Sequence, residues 1–200
     1  MAMPILQQHG GTAHSVTLAD IRWRVPVGKL EDSCFDAIIR KIRAGAARLR
    51  AMGHSVAGVA IIEVCANRDV DGDVFWEPHF HMVIVGAPRE AIREAFAVRL
   101  PKELRGKVKP LQTKEIRPGE LGRVACYITK VKPELRSAYR RDNGGIGRKR
   151  NHLPKELLPE WLAVMAARPA TEMVVHFGLG PNIARQFRTA EMSFVLGELL

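Results

Sequence analysis

The spacing of apolar positions changes several times along the chain, and each change predicts an element. From His14 to Val25, "HSVTLADIRWRV" is rich in β-branched and aromatic residues and reads as a strand ended by Pro26 and Gly28. Asp32 or Ser33 can then cap a helix in which Phe35, Ile38, Ile39, Ile42, Ala46 and Leu49 keep helical spacing. Its other face carries Arg40, Lys41, Arg43, Arg48 and Arg50, and Gly53 closes it.

Two apolar strands follow, Gly58 to Cys65 and His79 to Gly86, separated by a polar stretch with Asn67, Asp69, Asp71, Gly72 and Asp73. An antiparallel hairpin with a long tip is the expectation. "DVDGD" has its glycine at the fourth position where a calcium loop needs it at the sixth, so it reads as turn chemistry. A helix is expected from Pro88 to Leu100, and a weaker edge strand from Lys107 to Ile116, where Pro110 cannot donate a ladder bond. Another helix runs from Gly119 to about Val131. The order is β-α-β-β-α-β-α, an α+β class with a central antiparallel sheet flanked by helices. Beyond Pro133, "ELRSAYRRDNGGIGRKRNHLPK" is glycine-broken and basic and reads as a loop. A helix (Pro154 to Ala167), a short strand (Glu172 to Phe177) and a terminal helix near Ile183 to Leu200 form a C-terminal extension.

Charge adds a partner class. Lys and Arg number 31 against 21 Asp and Glu, a formal net charge of +10 that attracts polyanions, nucleic acid above all. Cys34, Cys65 and Cys126 form no CxxC pair, which argues against a disulfide framework or thiolate zinc site and for a reducing, cytoplasmic compartment. No apolar run is long enough to span a bilayer, so no membrane partner is expected.

Two motifs carry candidate chemistry. In "WEPHFHMVIVG", strand alternation points His79 and His81 to one face, side by side, where two imidazoles can chelate a divalent cation. Glu63 interrupts the buried run "AIIEVC" on the neighbouring strand, a position that is costly for a carboxylate unless something pairs with it. It is the first candidate for a third ligand, with Glu77 in reserve. Of the two tyrosines, Tyr127 and Tyr139, the first lies on the helix whose buried stripe is Leu121, Val124, Ile128 and Val131. Tyr127 sits at the stripe's margin with Arg123 four residues before and Lys130 three after, cations that favour the phenolate and can stabilise charge on a phosphate.

Taken together, "PHFHMVIV", "CYITK" and the strand pair "GVAIIEVCAN…FWEPHFH" resemble the HUH (His-hydrophobe-His) endonuclease superfamily, and within it rolling-circle replication initiators of plasmid and phage-like type. The resemblance covers roughly Thr17 to Val131. It implies a nicking domain over residues 1–135; the basic loop then covers 136–153, and the extension over 154–200 is expected to pack on the same domain. It also implies that His79, His81 and Glu63 bind Mg²⁺ or Mn²⁺, with Zn²⁺ also acceptable to imidazoles. Tyr127 would be the nucleophile that forms a 5′-phosphotyrosine, and Lys130 its cationic helper. Single-stranded or hairpin origin DNA would be the partner, its backbone held by Arg123, by Arg40, Lys41 and Arg43, and by Arg140, Arg141, Arg148, Lys149 and Arg150. No phosphate loop of helicase type is present, so a host helicase and polymerase would act in trans. A non-catalytic origin-binding or copy-control protein and a single-tyrosine transposase or relaxase remain the alternatives. The length of the loop before "FWEPHFH" leaves Glu63's reach to the histidines open.

Overall fold

A computed structural model describes residues 11–104, 109–117, 119–128, 132–168 and 170–179, with the backbone alone for 125–128 and 170–171. The described residues form an eight-stranded mixed sheet with helices on both faces. Strands β1 (Ala13–Leu18), β3 (Ala57–Arg68), β4 (Val74–Val85), β5 (Leu111–Ile116), β6 (Glu134–Arg140) and β7 (Ile146–His152) lie in the order β5-β1-β4-β3-β6-β7. A two-residue β2 (Val25–Pro26) pairs with β4, and β8 (Val174–Phe177) pairs with β3.

The central pair β3–β4 is longer and its tip tighter than the sequence suggests. Both strands run for 12 residues, and the carboxylate of Asp69 accepts from the amides of Asp71 and Asp73 at 3.0 and 2.9 Å. Gly72 supplies the positive φ of 98° that this turn requires. Ladder pairing is therefore continuous from Ala57↔Val85 to Arg68↔Val74.

Alternation divides the sheet into two unlike faces. One carries Val16, Leu18, Ile62, Val64, Trp76, Phe80, Met82 and Ile84, all at most 1% exposed, in the main core. Helix α1 (Phe35–Ala51) covers it with Phe35, Ile38, Ile42, Ala46 and Leu49. Helices α2 (Arg89–Ala95) and α4 (Leu158–Ala167) complete that layer through Ile92, Ala95, Trp161 and Val164. A short α5 (Ala170–Met173) leads into β8. The other face has a smaller apolar patch of Ala57, Ile61, Val83, Val85 and Ile116, covered by α3 (Leu121–Ile128) through Leu121 and Val124.

Several expectations are corrected. The sheet is mixed rather than antiparallel, because β6 runs parallel to β3 with Asn67 beside Arg136. The first strand stops at Leu18, where the buried Asp20 caps a 3₁₀ turn (Ile21–Trp23) by accepting from the Arg22 amide. Asp32 and Ser33 do not cap α1; Asp32 ends a second 3₁₀ turn (Leu30–Asp32), and Cys34 at the helix N-cap makes no side-chain capping bond. The helix after Pro88 ends at Ala95, short of Leu100. The segment read as a basic loop is the antiparallel hairpin β6–β7, closed by an Asn143-Gly144 turn with Gly144 at φ 76°. The expected terminal helix near Ile183 to Leu200 lies outside the described residues.

Candidate metal centre

The site lies on the smaller apolar face, beyond the patch that α3 covers. Glu63 stands directly opposite His79 in the β3–β4 ladder, and His81 is next on the same face, opposite Ile61. The register answers the question of reach: the two strands extend through the supposed loop, and the carboxylate needs only to cross between adjacent strands. Its Oε2 lies 3.0 Å from Nε2 of His79 and 3.0 Å from Nε2 of His81. The three donor atoms all fall within 4.8 Å of one another.

The outer nitrogens explain why the inner ones converge. Nδ1 of His79 is 3.0 Å from the Glu77 carbonyl oxygen, to which it donates. Nδ1 of His81 is 2.9 Å from the hydroxyl of Thr17 on β1. With Nδ1 engaged on each ring, Nε2 is the nitrogen aimed at Glu63. This is the arrangement by which protein groups orient and tune histidine ligands. Ligand bonds of about 2.0–2.1 Å at right angles would set donor atoms about 3 Å apart, matching both nitrogen–oxygen separations. A chelating set of two imidazoles and one carboxylate on rigid strands can thus hold a divalent cation.

Charge within the cluster follows from burial and proximity. Burial works against the charged form of Glu63, but hydrogen bonds from His79 and His81 outweigh it and hold the carboxyl far below the usual carboxylate range. Burial likewise disfavours an imidazolium at His79, and its neighbours Cys65 and Glu63 overcome this and raise the imidazole above its ordinary 6.5. His79, only 1% exposed, thus keeps a proton at neutral pH, which it donates to Glu63 at 3.0 Å.

A cation must displace that proton. The sign follows. The depressed Glu63 stabilises the fold above its unfolded value near 4.5, and this contribution is lost as pH falls through the folded value. The raised His79 contributes fully below 6.5, and its contribution is lost as pH rises through the folded value. The cluster therefore stabilises the cation-free protein most between about 4.5 and 6.5, and cation affinity rises with pH above that window. Titration calorimetry with Mn²⁺ in two buffers of different ionisation enthalpy should find about one proton released per ion at pH 7. No proton release would show that His79 is neutral before binding.

Glu77, the reserve ligand, is committed elsewhere. It is buried, and its carboxylate accepts from Arg24 at 2.7 Å and from Asn67 at 3.3 Å. Arg136 was not singled out by the sequence. From β6 its guanidinium lies 3.6 Å from Glu63 Oε2 and 3.5 Å from His79 Nε2, while its Nε donates to Glu134 at 2.6 Å. His79 cannot both donate its Nε2 proton to Glu63 and accept one from Arg136. The Glu63 contact is the shorter, so Arg136 acts on the two carboxylates.

The remaining candidates divide. Tyr127 lies on α3, which packs over the donor face of the sheet, but its side chain is outside the description, and Lys130 lies outside the described residues. Arg123 is exposed and paired with Glu120 at 2.7 Å. Arg40, Lys41 and Arg43 sit on α1, in the layer across the sheet from the donors, and Lys41 donates to the Ala97 carbonyl at 2.6 Å. These three are not brought to the site. Arg140, Arg148, Lys149 and Arg150 belong to the hairpin beside it, and Arg141 to its turn. Thr17 and Arg136 were legible only with strand register in hand. Among the described residues no helix is long and apolar enough to cross a membrane. No family model matches the chain, and no curated protein or solved structure matches it either.

Proposed function

We propose that the chain is a metal-dependent single-strand DNA nickase and rejoining enzyme of the HUH type, acting in rolling-circle replication. The observation that carries this reading is that the helix bearing Tyr127 packs on the same sheet face as the three donor atoms. That helix packs through Leu121 and Val124 on the patch that includes Ile61, Val83 and Val85, and the chain re-enters the sheet at β6, where Leu135 lies beside Ala66. The level of Glu63 on β3 falls between those two points.

Electrostatics favour a phosphodiester as ligand. One carboxylate and two neutral imidazoles around a divalent ion leave a net positive centre, and Arg136 stands at its edge with 16% of its side chain exposed. When bound, the ion would act as a Lewis acid on a non-bridging oxygen of the scissile phosphate. The phenol oxygen of Tyr127 would attack phosphorus in line, giving up its proton to solvent. The bond to the 3′ oxygen breaks, and that oxygen takes a proton from solvent, leaving a free 3′-OH and a 5′-phosphotyrosine; reversal rejoins the strand.

The test uses the full chain with Mn²⁺ and a pool of labelled hairpin-bearing single strands. A covalent protein–DNA band should form, be absent with a chelator, and map to the peptide containing Tyr127 by mass spectrometry. DNA binding without any adduct would leave a non-catalytic binder. Attachment through Tyr139 would overturn the assignment.

A further inference from the structure

The hairpin β6–β7 has a one-sided charge pattern that its reading as a loop concealed. Register pairs Glu134 with His152, Arg136 with Arg150, Ala138 with Arg148 and Arg140 with Ile146, and these residues share one face. The intervening pairs, Leu135 with Asn151, Ser137 with Lys149 and Tyr139 with Gly147, share the other. All four arginines of the two strands therefore lie on one face, and the opposite face has the single cation Lys149. Arg136 identifies the arginine face as the one that carries Glu63 and His79. The one carboxylate among the arginines, Glu134, is 8% exposed and is met by Arg136 at 2.6 Å and Arg150 at 3.9 Å. Arg140, Arg148 and Arg150 are exposed.

The geometry points to this face as the track that holds the backbone of single-stranded DNA as it leaves the metal centre along β6 and β7 toward the hairpin turn. The inference rests on the nucleic-acid reading above and adds the strand's path. Alternate residues along a strand stand about 6.7 Å apart, a spacing comparable with that of successive phosphates on an extended nucleic acid. Guanidinium groups suit phosphate oxygens by geometry as well as charge. A basic edge strand also discourages sheets from pairing edge to edge. That role is indifferent to which face the cations take, whereas a backbone track requires them on the side of the metal centre.

Adjacent residues on opposite faces supply the test. Arg148→Glu, Lys149→Glu and Arg150→Glu make the same charge change within three consecutive positions. Binding of the full chain to fluorescein-labelled oligo(dT) is followed by anisotropy in a chelator over a range of salt. Arg148→Glu and Arg150→Glu should each weaken binding at least about 10-fold and flatten the log–log salt dependence by about 0.7, one single-strand phosphate contact. Lys149→Glu should change affinity less than about 3-fold. Equal losses in all three variants, or no binding by the unaltered chain at low salt, would overturn the track. Arg150 adjoins Glu134, so Arg148→Glu, at a residue that forms no salt bridge among the described residues, decides if Arg150→Glu unfolds. The two proposals fail separately. Face-selective binding without an adduct keeps the track and removes the nickase; an adduct with equal losses does the reverse.

Discussion

Replacing Tyr127 by phenylalanine is expected to lower the rate of covalent adduct formation about 10⁴-fold or more, with single-strand binding changed less than about 2-fold. The substitution removes one hydroxyl and keeps the ring. It leaves Leu121 and Val124, which anchor α3 to Ile61, Val83 and Val85, untouched. The loss should therefore fall on the chemical step rather than on folding or binding, with a melting temperature close to that of the unaltered chain. Single-turnover gel assays with saturating Mn²⁺ measure the rate. A hydrolase or oxygenase using the same two imidazoles and carboxylate on a small molecule would be insensitive to the change. An adduct that persists in Tyr127→Phe would remove this tyrosine from the reaction.

Glu63→Gln should have the next largest effect, on two separate observables. The variant keeps the shape and removes the carboxylate donor of the cluster, so Mn²⁺ affinity should fall by more than about 100-fold, beyond what loss of a group that only orients a ligand costs. Without the ion, the fold should lose about 1–3 kcal/mol at pH 6. Breaking a buried ion pair usually costs about 3–5 kcal/mol because a charge is stranded. Here the stranded partner, His79, can release its proton, and Arg136 retains Glu134 at 2.6 Å. The smaller range is therefore expected. Urea unfolding with and without Mn²⁺ separates the two effects. An unchanged ion affinity would place the cation on other ligands.

How much of this was legible without coordinates varies by element for physical reasons. The main core and the paired histidines on the opposite face were readable because both patterns are periodic: Phe35, Ile38, Ile42 and Leu49 keep the helical interval, and His79 and His81 the strand interval. The hairpin β6–β7 was not, although Asn143-Gly144 is a strong turn signal. Its strands alternate arginine with small or polar residues instead of apolar with polar, so the pattern used to recognise strands is absent. Arg40, Lys41 and Arg43 were grouped with the site because they are basic, and composition carries no information about which side of a sheet a helix covers.

By itself the sequence determined local matters: the pairing of His79 and His81 on one strand face, the amphipathic helices, the Asp69–Asp73 turn and the basic excess. Each follows from neighbours in the chain and from the fixed periods of helix and strand. The tertiary structure alone decided that Glu63 rather than Glu77 completes the donor set, because that choice depends on register between strands and on Arg24 occupying Glu77. It also decided that Thr17 and Arg136 join the cluster, and that the hairpin arginines stand on the side of the histidines. Those facts depend on contacts between residues 64 and 57 positions apart, which no local pattern encodes.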